Sequence, residues 1–99
     1  MEPIRSDTAV YMMASRKHGA LYIGVTGALI QRISQHHESL RPGFTAKYGV
    51  KRLVWFERHH GVATRIQREK SLKKQPRQWK INLIERDNPN WDDLFPALL

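Results

Sequence analysis

Thr8-Ala9-Val10-Tyr11-Met12-Met13-Ala14, then Ser15-Arg16-Lys17-His18-Gly19, then Ala20-Leu21-Tyr22-Ile23-Gly24-Val25 is the stretch that decides the fold. Two short apolar and aromatic runs, separated by a polar stretch ending in glycine, read as two antiparallel strands joined by a turn. The hairpin register decides which way Tyr11 and Tyr22 face, because a slip of one residue moves a side chain to the other side of the sheet. Thr26 is placed to cap a helix running from Gly27 to Leu40. Within it Ile30, Ile33, His37 and Leu40 recur at helical spacing, while Arg32 and His36 stand four apart on a neighbouring stripe. One face is left to pack and the other to work. Arg41-Pro42-Gly43 ends this helix, and Phe44-Thr45-Ala46-Lys47-Tyr48-Gly49 reads as a loop of basic and aromatic residues.

Arg52-Leu53-Val54-Trp55-Phe56-Glu57 is apolar for most of its length, which predicts a third strand in the sheet interior. A basic helix is expected from Val62 to Lys74. At ~100° per residue Val62, Ile66 and Glu69 fall within roughly 60° of one another, and Leu72 extends the same arc. Glu69 therefore stands in the middle of an apolar stripe. Burying a carboxylate is unfavourable unless a cation or several hydrogen bonds compensate it. A neighbouring Arg or Lys is one such cation, and a divalent metal is another. Gln75-Pro76 breaks the helix and starts the next, Arg77 to Arg86, with Trp79 and Leu83 one turn apart. The tail from Asn88 carries Trp91, Leu94 and Phe95, too many large apolar groups for a segment that stays unpacked. The order β-β-α-β-α-α predicts an α+β fold with a small three-stranded, mainly antiparallel sheet flanked by helices.

At 99 residues the chain has room for one small domain, residues 1–99, with a motif core over about 8–86 and the packed tail over 87–99. Cysteine is absent, so neither disulfides nor thiolate metal sites are available, and a reducing, cytoplasmic location is the natural expectation. The start of the chain lacks the pattern of a signal peptide, and no apolar run approaches membrane-spanning length. Lys and Arg number 17 against 9 Asp and Glu, for a formal charge of +8. A polyanion is the expected partner. Arg65, Arg68, Lys70, Lys73, Lys74, Arg77 and Lys80 form the densest basic cluster, and Lys47 and Tyr48 add a second element able to hold a nucleic-acid backbone. A charge run of this kind is equally compatible with a solvated helix face.

Ala9-Val10-Tyr11, Tyr22-Ile23-Gly24-Val25-Thr26, Arg32 and His36 on one helix, Trp55-Phe56-Glu57, then Arg68-Glu69-Lys70 and Leu72-Lys73-Lys74 follow one another in a specific order. With the closing Asn88-Pro89-Asn90-Trp91-Asp92-Asp93-Leu94, this arrangement resembles the GIY-YIG nuclease superfamily, in particular its small single-domain bacterial branch, over roughly residues 8–94. The resemblance implies that Tyr11 and Tyr22 are the paired tyrosines and Arg32 the helix arginine. It makes His36 the residue one turn later, Glu69 the metal ligand and Asn82 the auxiliary amide, and it assigns Gly24 a structural role. Ala9-Val10-Tyr11 departs from Gly-Ile-Tyr by losing a glycine, a mild change in a strand. Asn82 has the loosest correspondence.

These residue types suit hydrolysis of a phosphodiester, which needs an activated water and counter-charge for the phosphate. One carboxylate suffices for Mg²⁺ or Mn²⁺, because such a hard ion keeps several waters and takes phosphate oxygens as ligands. Arg32 offers a planar fork for phosphate oxygens, and the imidazole of His36 suits relay of a proton or binding of phosphate. A nearby metal and Arg32 would favour the phenolate of Tyr11 or Tyr22, either of which could take the proton from water. The implied activity is a divalent-metal-dependent endonuclease acting on DNA in preference to RNA, guided by structure more than by sequence, with no small-molecule cofactor and no membrane partner. The rival reading is a non-catalytic DNA- or RNA-binding module that keeps the fold. Singly, each residue also has an ordinary explanation: a half-buried sheet tyrosine, a surface arginine, a helix histidine. His18, His59 and His60 are read as loop residues without a role.

Overall fold

β1 (Ala9–Ala14) is buried along its whole length because it is the middle strand of the sheet. β2 (Leu21–Thr26) and β3 (Arg52–Arg58) flank it, both antiparallel, in the order β2-β1-β3. The computed structural model describes residues 7–38 and 43–99. α1 (Leu29–His37) follows the hairpin, a short α2 (Phe44–Lys47) precedes β3, and α3 (Val62–Lys74) and α4 (Arg77–Asp87) come next. A 3₁₀ turn over Phe95–Leu98 closes the chain. This is the expected α+β order with its three-stranded antiparallel sheet. No helix among the described residues is long and apolar enough to cross a membrane.

Alternation along β1 divides the core into two layers, as a period-2 strand requires. Val10, Met12 and Ala14 join Ile23, Leu72, Leu83, Ile84 and Trp91 on the face covered by α3, α4 and the tail. Ala9, Tyr11 and Met13 join Leu29, Ile33 and Leu53 on the opposite face, where Leu94, Phe95 and Leu98 of the tail also pack. The register places Tyr11 opposite Gly24 and Met13 opposite Tyr22. Both tyrosines consequently belong to the α1 layer.

Five local expectations are corrected. β3 lies at an edge of the sheet, not in its interior; its apolar residues are covered because the tail runs along it. Leu94 N–H donates to Leu53 O at 2.8 Å, and Leu53 N–H donates to Asp93 Oδ1 at 3.1 Å. Thr26 ends β2 instead of capping α1: its hydroxyl accepts from Ala28 N–H at 3.0 Å, so it shapes the turn and the helix begins at Leu29. The buried stripe of α1 is Leu29, Ile33 and His36, one residue removed from Ile30, Ile33 and His37. Its expected end at Leu40 and the Arg41-Pro42 break lie outside the described residues. Phe44–Lys47, read as loop, is a helical turn.

The fifth correction concerns α3, whose bounds are as expected. Val62 and Ile66 are 57% and 37% exposed. The inward stripe is instead Arg65, Arg68, Glu69 and Leu72, again at helical spacing. Each of its charged residues has a partner, although the buried Arg65 Nε has none. Arg65 Nη1 donates to Thr26 O at 3.2 Å, and Arg68 Nε donates to Glu57 Oε1 at 3.1 Å.

Asn88 ties the tail down from a nearly buried position. Its Nδ2 donates to Val54 O at 3.1 Å and to Asp92 O at 2.9 Å, and its Oδ1 accepts from Asp92 N–H at 3.0 Å. The chain then turns at Trp91, whose φ of 57° is in the left-handed region and whose indole is fully buried. Trp91 Nε1 donates to Glu85 Oε2 at 2.7 Å. That bond, and after it the His18 contact at 2.7 Å, holds the Glu85 carboxyl below its ordinary value.

Candidate active site

Gly24 explains how two tyrosines share one small space. A side chain there would put its Cβ 2.6 Å from Tyr11 Oη and 3.0 Å from Tyr22 Cε2. Glycine is needed so that the Tyr11 ring can lie across the neighbouring strand. The two tyrosine rings are 6.2 Å apart between centroids, and His36 stands 5.9 Å from Tyr11 and 5.6 Å from Tyr22. Tyr11 Oη and His36 Nε2 are hydrogen-bonded at 3.1 Å. His36 is thus drawn inward by its partner, which is why α1 buries position 36 and leaves 37 half exposed.

Tyr11 is fully buried, whereas Tyr22 keeps some solvent access. Burial pushes the Tyr11 phenol well above the ordinary tyrosine value, the neighbouring Tyr22 adds to the rise, and the Arg32 guanidinium hydrogen-bonded to it pulls only part of the way back. Of the groups expected to favour phenolate, Arg32 acts in that direction but does not by itself offset burial at Tyr11. Desolvation outweighs one cation there.

Arg32 also lines a polar cavity of about 130 Å³ with Thr26, Ala28, Gln31 and Gln35. Gln35 was not singled out in the sequence, although it lies three residues beyond Arg32 and so one turn away. The tyrosines, Arg32 and His36 are therefore gathered on one layer. Glu69 approaches from the other: its helix packs against β2 and β1 from the opposite face. The two layers can share ligands only around an edge of the sheet, and β2 is the edge against which α3 packs.

At that edge Leu21, Tyr22, Ile23, Lys73 and Lys80 line a cleft of about 350 Å³. Lys73 also donates to Glu69 Oε2 at 3.1 Å, the i,i+4 partner on the same helix. The Glu69 side chain is 18% exposed and that of Lys73 54% exposed. The half-buried acid is therefore compensated by a lysine that reaches in from solvent. No group of three or more His, Asp or Glu is gathered for a metal among the described residues. The donor set fits a hard ion anchored by one carboxylate and completed by water and phosphate oxygens, the usual situation of Mg²⁺. The lysine half of the pair is open to solvent, which leaves Lys73 able to give way to a divalent ion.

The remaining basic residues divide by engagement. Lys47, Lys70 and Lys74 are exposed, and Lys47 stands over the exposed Tyr48 ring at 5.4 Å. Arg65 and Arg68 are spent partly on Thr26 and Glu57, as described above. Arg77 Nη2 donates to His18 O at 2.9 Å and Gly19 O at 2.6 Å, fastening α4 to the hairpin turn. Asn82 is exposed and accepts from Gln78 Nε2 at 2.8 Å. His37, next to His36, points to a separate partner, Asp93 Oδ2 at 3.1 Å. His59, given no role in the sequence, contacts Glu57 at 2.7 Å and Thr64 at 3.2 Å, completing the polar link between β3 and α3.

The family model described as the GIY-YIG catalytic domain matches residues 8–82, most of the chain. The chain belongs to the GIY-YIG family. Searches of curated proteins and of solved structures give no significant match. Membership places the protein in a nuclease superfamily whose substrates are nucleic acids. The GIY-YIG match ends at residue 82, so the tail that covers β3 lies beyond it.

Proposed function

We propose that the protein is a divalent-metal-dependent endonuclease that hydrolyses phosphodiester bonds in DNA, directed by the shape of the substrate more than by its sequence. One observation carries this reading: Tyr11, Tyr22 and His36 stand within 6.2 Å of one another between ring centroids, with Arg32 on Tyr11, in a chain matched over residues 8–82 by a catalytic-domain model. Glu69 would hold Mg²⁺ or Mn²⁺, which supplies an acidified water and counter-charge for the phosphate. Arg32, at the mouth of its polar cavity, would grip phosphate oxygens as negative charge builds. Tyr22 has the solvent access that Tyr11 lacks and is the better candidate to accept or orient the proton of the attacking water. Tyr11, kept as a neutral phenol, would position His36 and Tyr22. The exposed Lys47, Lys70 and Lys74, with Lys73 and Lys80 at the cleft, would hold the backbone without reading bases.

The Glu69–Lys73 pair favours a second reading, a nucleic-acid-binding module without catalysis, since it neutralises the acid with no metal. One experiment separates them. Single-stranded, duplex, nicked and branched DNA and RNA are incubated with the protein, with and without Mn²⁺. The nuclease reading expects Mn²⁺-dependent cutting by wild type, loss of cutting in Glu69→Ala and Arg32→Ala, and retained binding in both. Equal cutting by wild type and Glu69→Ala would falsify the site, and binding without cutting under every condition supports the module.

A further inference from the structure

We propose that the cleft along the outer edge of β2 binds one unpaired nucleotide of the substrate strand, its base laid on Leu21 and Ile23 and its phosphate held between Lys73 and Lys80. The inference rests on the nucleic-acid reading above and names the substrate feature that the site selects. Its volume, about 350 Å³, is at the lower end of pockets that take small ligands, roughly 300–1,000 Å³. It therefore suits a single nucleotide and not a stacked pair. Leu21 and Ile23 make its floor apolar, while both charged residues lining it are lysines. An apolar floor beneath two cations fits a ligand with a flat, weakly polar part and an anionic part, which is the division within a nucleotide. A base inside a duplex has its faces covered by its neighbours, so only an unpaired or extruded base can lie on such a surface.

Tyr22 links this cleft to the candidate chemistry. Tyr22 lines the cleft and also packs with Tyr11 and His36 in the other layer. A nucleotide seated on Leu21 and Ile23 thus places its own strand beside the tyrosine cluster. Lys73 adds a second link, because it now donates to Glu69 at 3.1 Å. A phosphate in the cleft competes for that lysine and uncovers the carboxylate, so an unpaired strand and a divalent ion should each strengthen the binding of the other.

The test uses DNA oligonucleotides carrying a fluorescent adenine analogue, with a chelator present so that binding is read without cleavage. Wild type, Leu21→Ala, Lys80→Gln and the control Lys17→Gln, an exposed residue of the hairpin turn, are titrated with single-stranded and fully duplex forms. Expected are an emission change with the single strand only, and a loss of about tenfold in single-strand affinity in Leu21→Ala and Lys80→Gln. Duplex affinity should change in Leu21→Ala no more than in Lys17→Gln, and in Lys80→Gln it should fall much less than single-strand affinity, because one of several backbone lysines is lost. Lys80→Gln keeps the test open if Leu21→Ala proves unstable, since its side chain borders solvent. Equal losses for single strand and duplex in Lys80→Gln would overturn the cleft assignment, leaving the nuclease reading to its own cleavage assay.

Discussion

The two edges of the sheet are treated in opposite ways. Along β3, the tail supplies a backbone N–H to Leu53 O and a carboxylate to Leu53 N–H, and Asn88 bonds Val54 O, so the edge is closed by polar partners. Along β2, the edge borders a cleft with Tyr22 in its wall and two lysines at its side. Exposed strand edges are liabilities that folded proteins normally cover. The covered edge therefore speaks of stability, and the open one of use.

Gly24→Ala, at the open edge, should have the strongest consequences. The added Cβ would sit 2.6 Å from the hydroxyl of a fully buried Tyr11 that has no room to swing aside. Overpacking of this kind destabilises by about 1–3 kcal/mol. Displacing the tyrosines should lower cleavage by about 100-fold or more, since misplacing reacting groups by roughly an ångström has that effect. A variant with wild-type melting temperature and cleavage would break the link between the open edge and the tyrosine cluster.

Next in size is Asn88→Ala at the covered edge. Removing the amide leaves Val54 O without its Asn88 partner and frees the tail, so stability should fall by about 1–3 kcal/mol. Cleavage measured well below the melting temperature should stay near wild type. Loss of cleavage with unchanged stability would reverse the roles assigned to the two edges.

The smallest effect is on alkaline stability. Tyr11 is held above its ordinary value of 10.0 by burial, so the folded state binds its proton more tightly than the unfolded chain does. Its contribution is complete below pH 10.0 and is lost as pH rises from there toward the folded value. Absorbance titration should show one of the three tyrosines resisting ionisation until the protein unfolds, and that resistant fraction should vanish in Tyr11→Phe. Three tyrosines titrating together in the folded protein would contradict the burial argument.

Hydrophobic alternation and turn residues made most of the architecture legible. β1, β2 and β3 stand where short apolar runs predicted them, and α3 ends and α4 begins on either side of Gln75-Pro76 as proline requires. What periodicity missed, it missed for physical reasons. The stripe Val62–Ile66 suggested an apolar inward face for α3, but the helix turns Arg65, Arg68 and Glu69 inward, where Thr26 O and Glu57 accept from the two arginines and Lys73 donates to the acid. β3 looked interior because the residues that cover its edge, Asn88, Asp93 and Leu94, come some 40 positions later. Of the candidate site, Tyr11, Tyr22, Arg32 and His36 meet as the motif order implied. The Lys73 contact to Glu69 follows from i,i+4 spacing, yet nothing in the spacing favoured Lys73 over another base. Leu21 and Ile23 at the cleft read simply as strand residues.

On the proposed function, chemistry resides at the β2 edge and depends on the Glu69 carboxylate. The most direct test measures Mn²⁺-dependent cleavage of a branched DNA by wild type and by Glu69→Gln, which keeps the shape of the side chain and removes its charge. Cutting should fall by at least about 100-fold in Glu69→Gln with little change in melting temperature. Cutting by Glu69→Gln at the wild-type rate would contradict it.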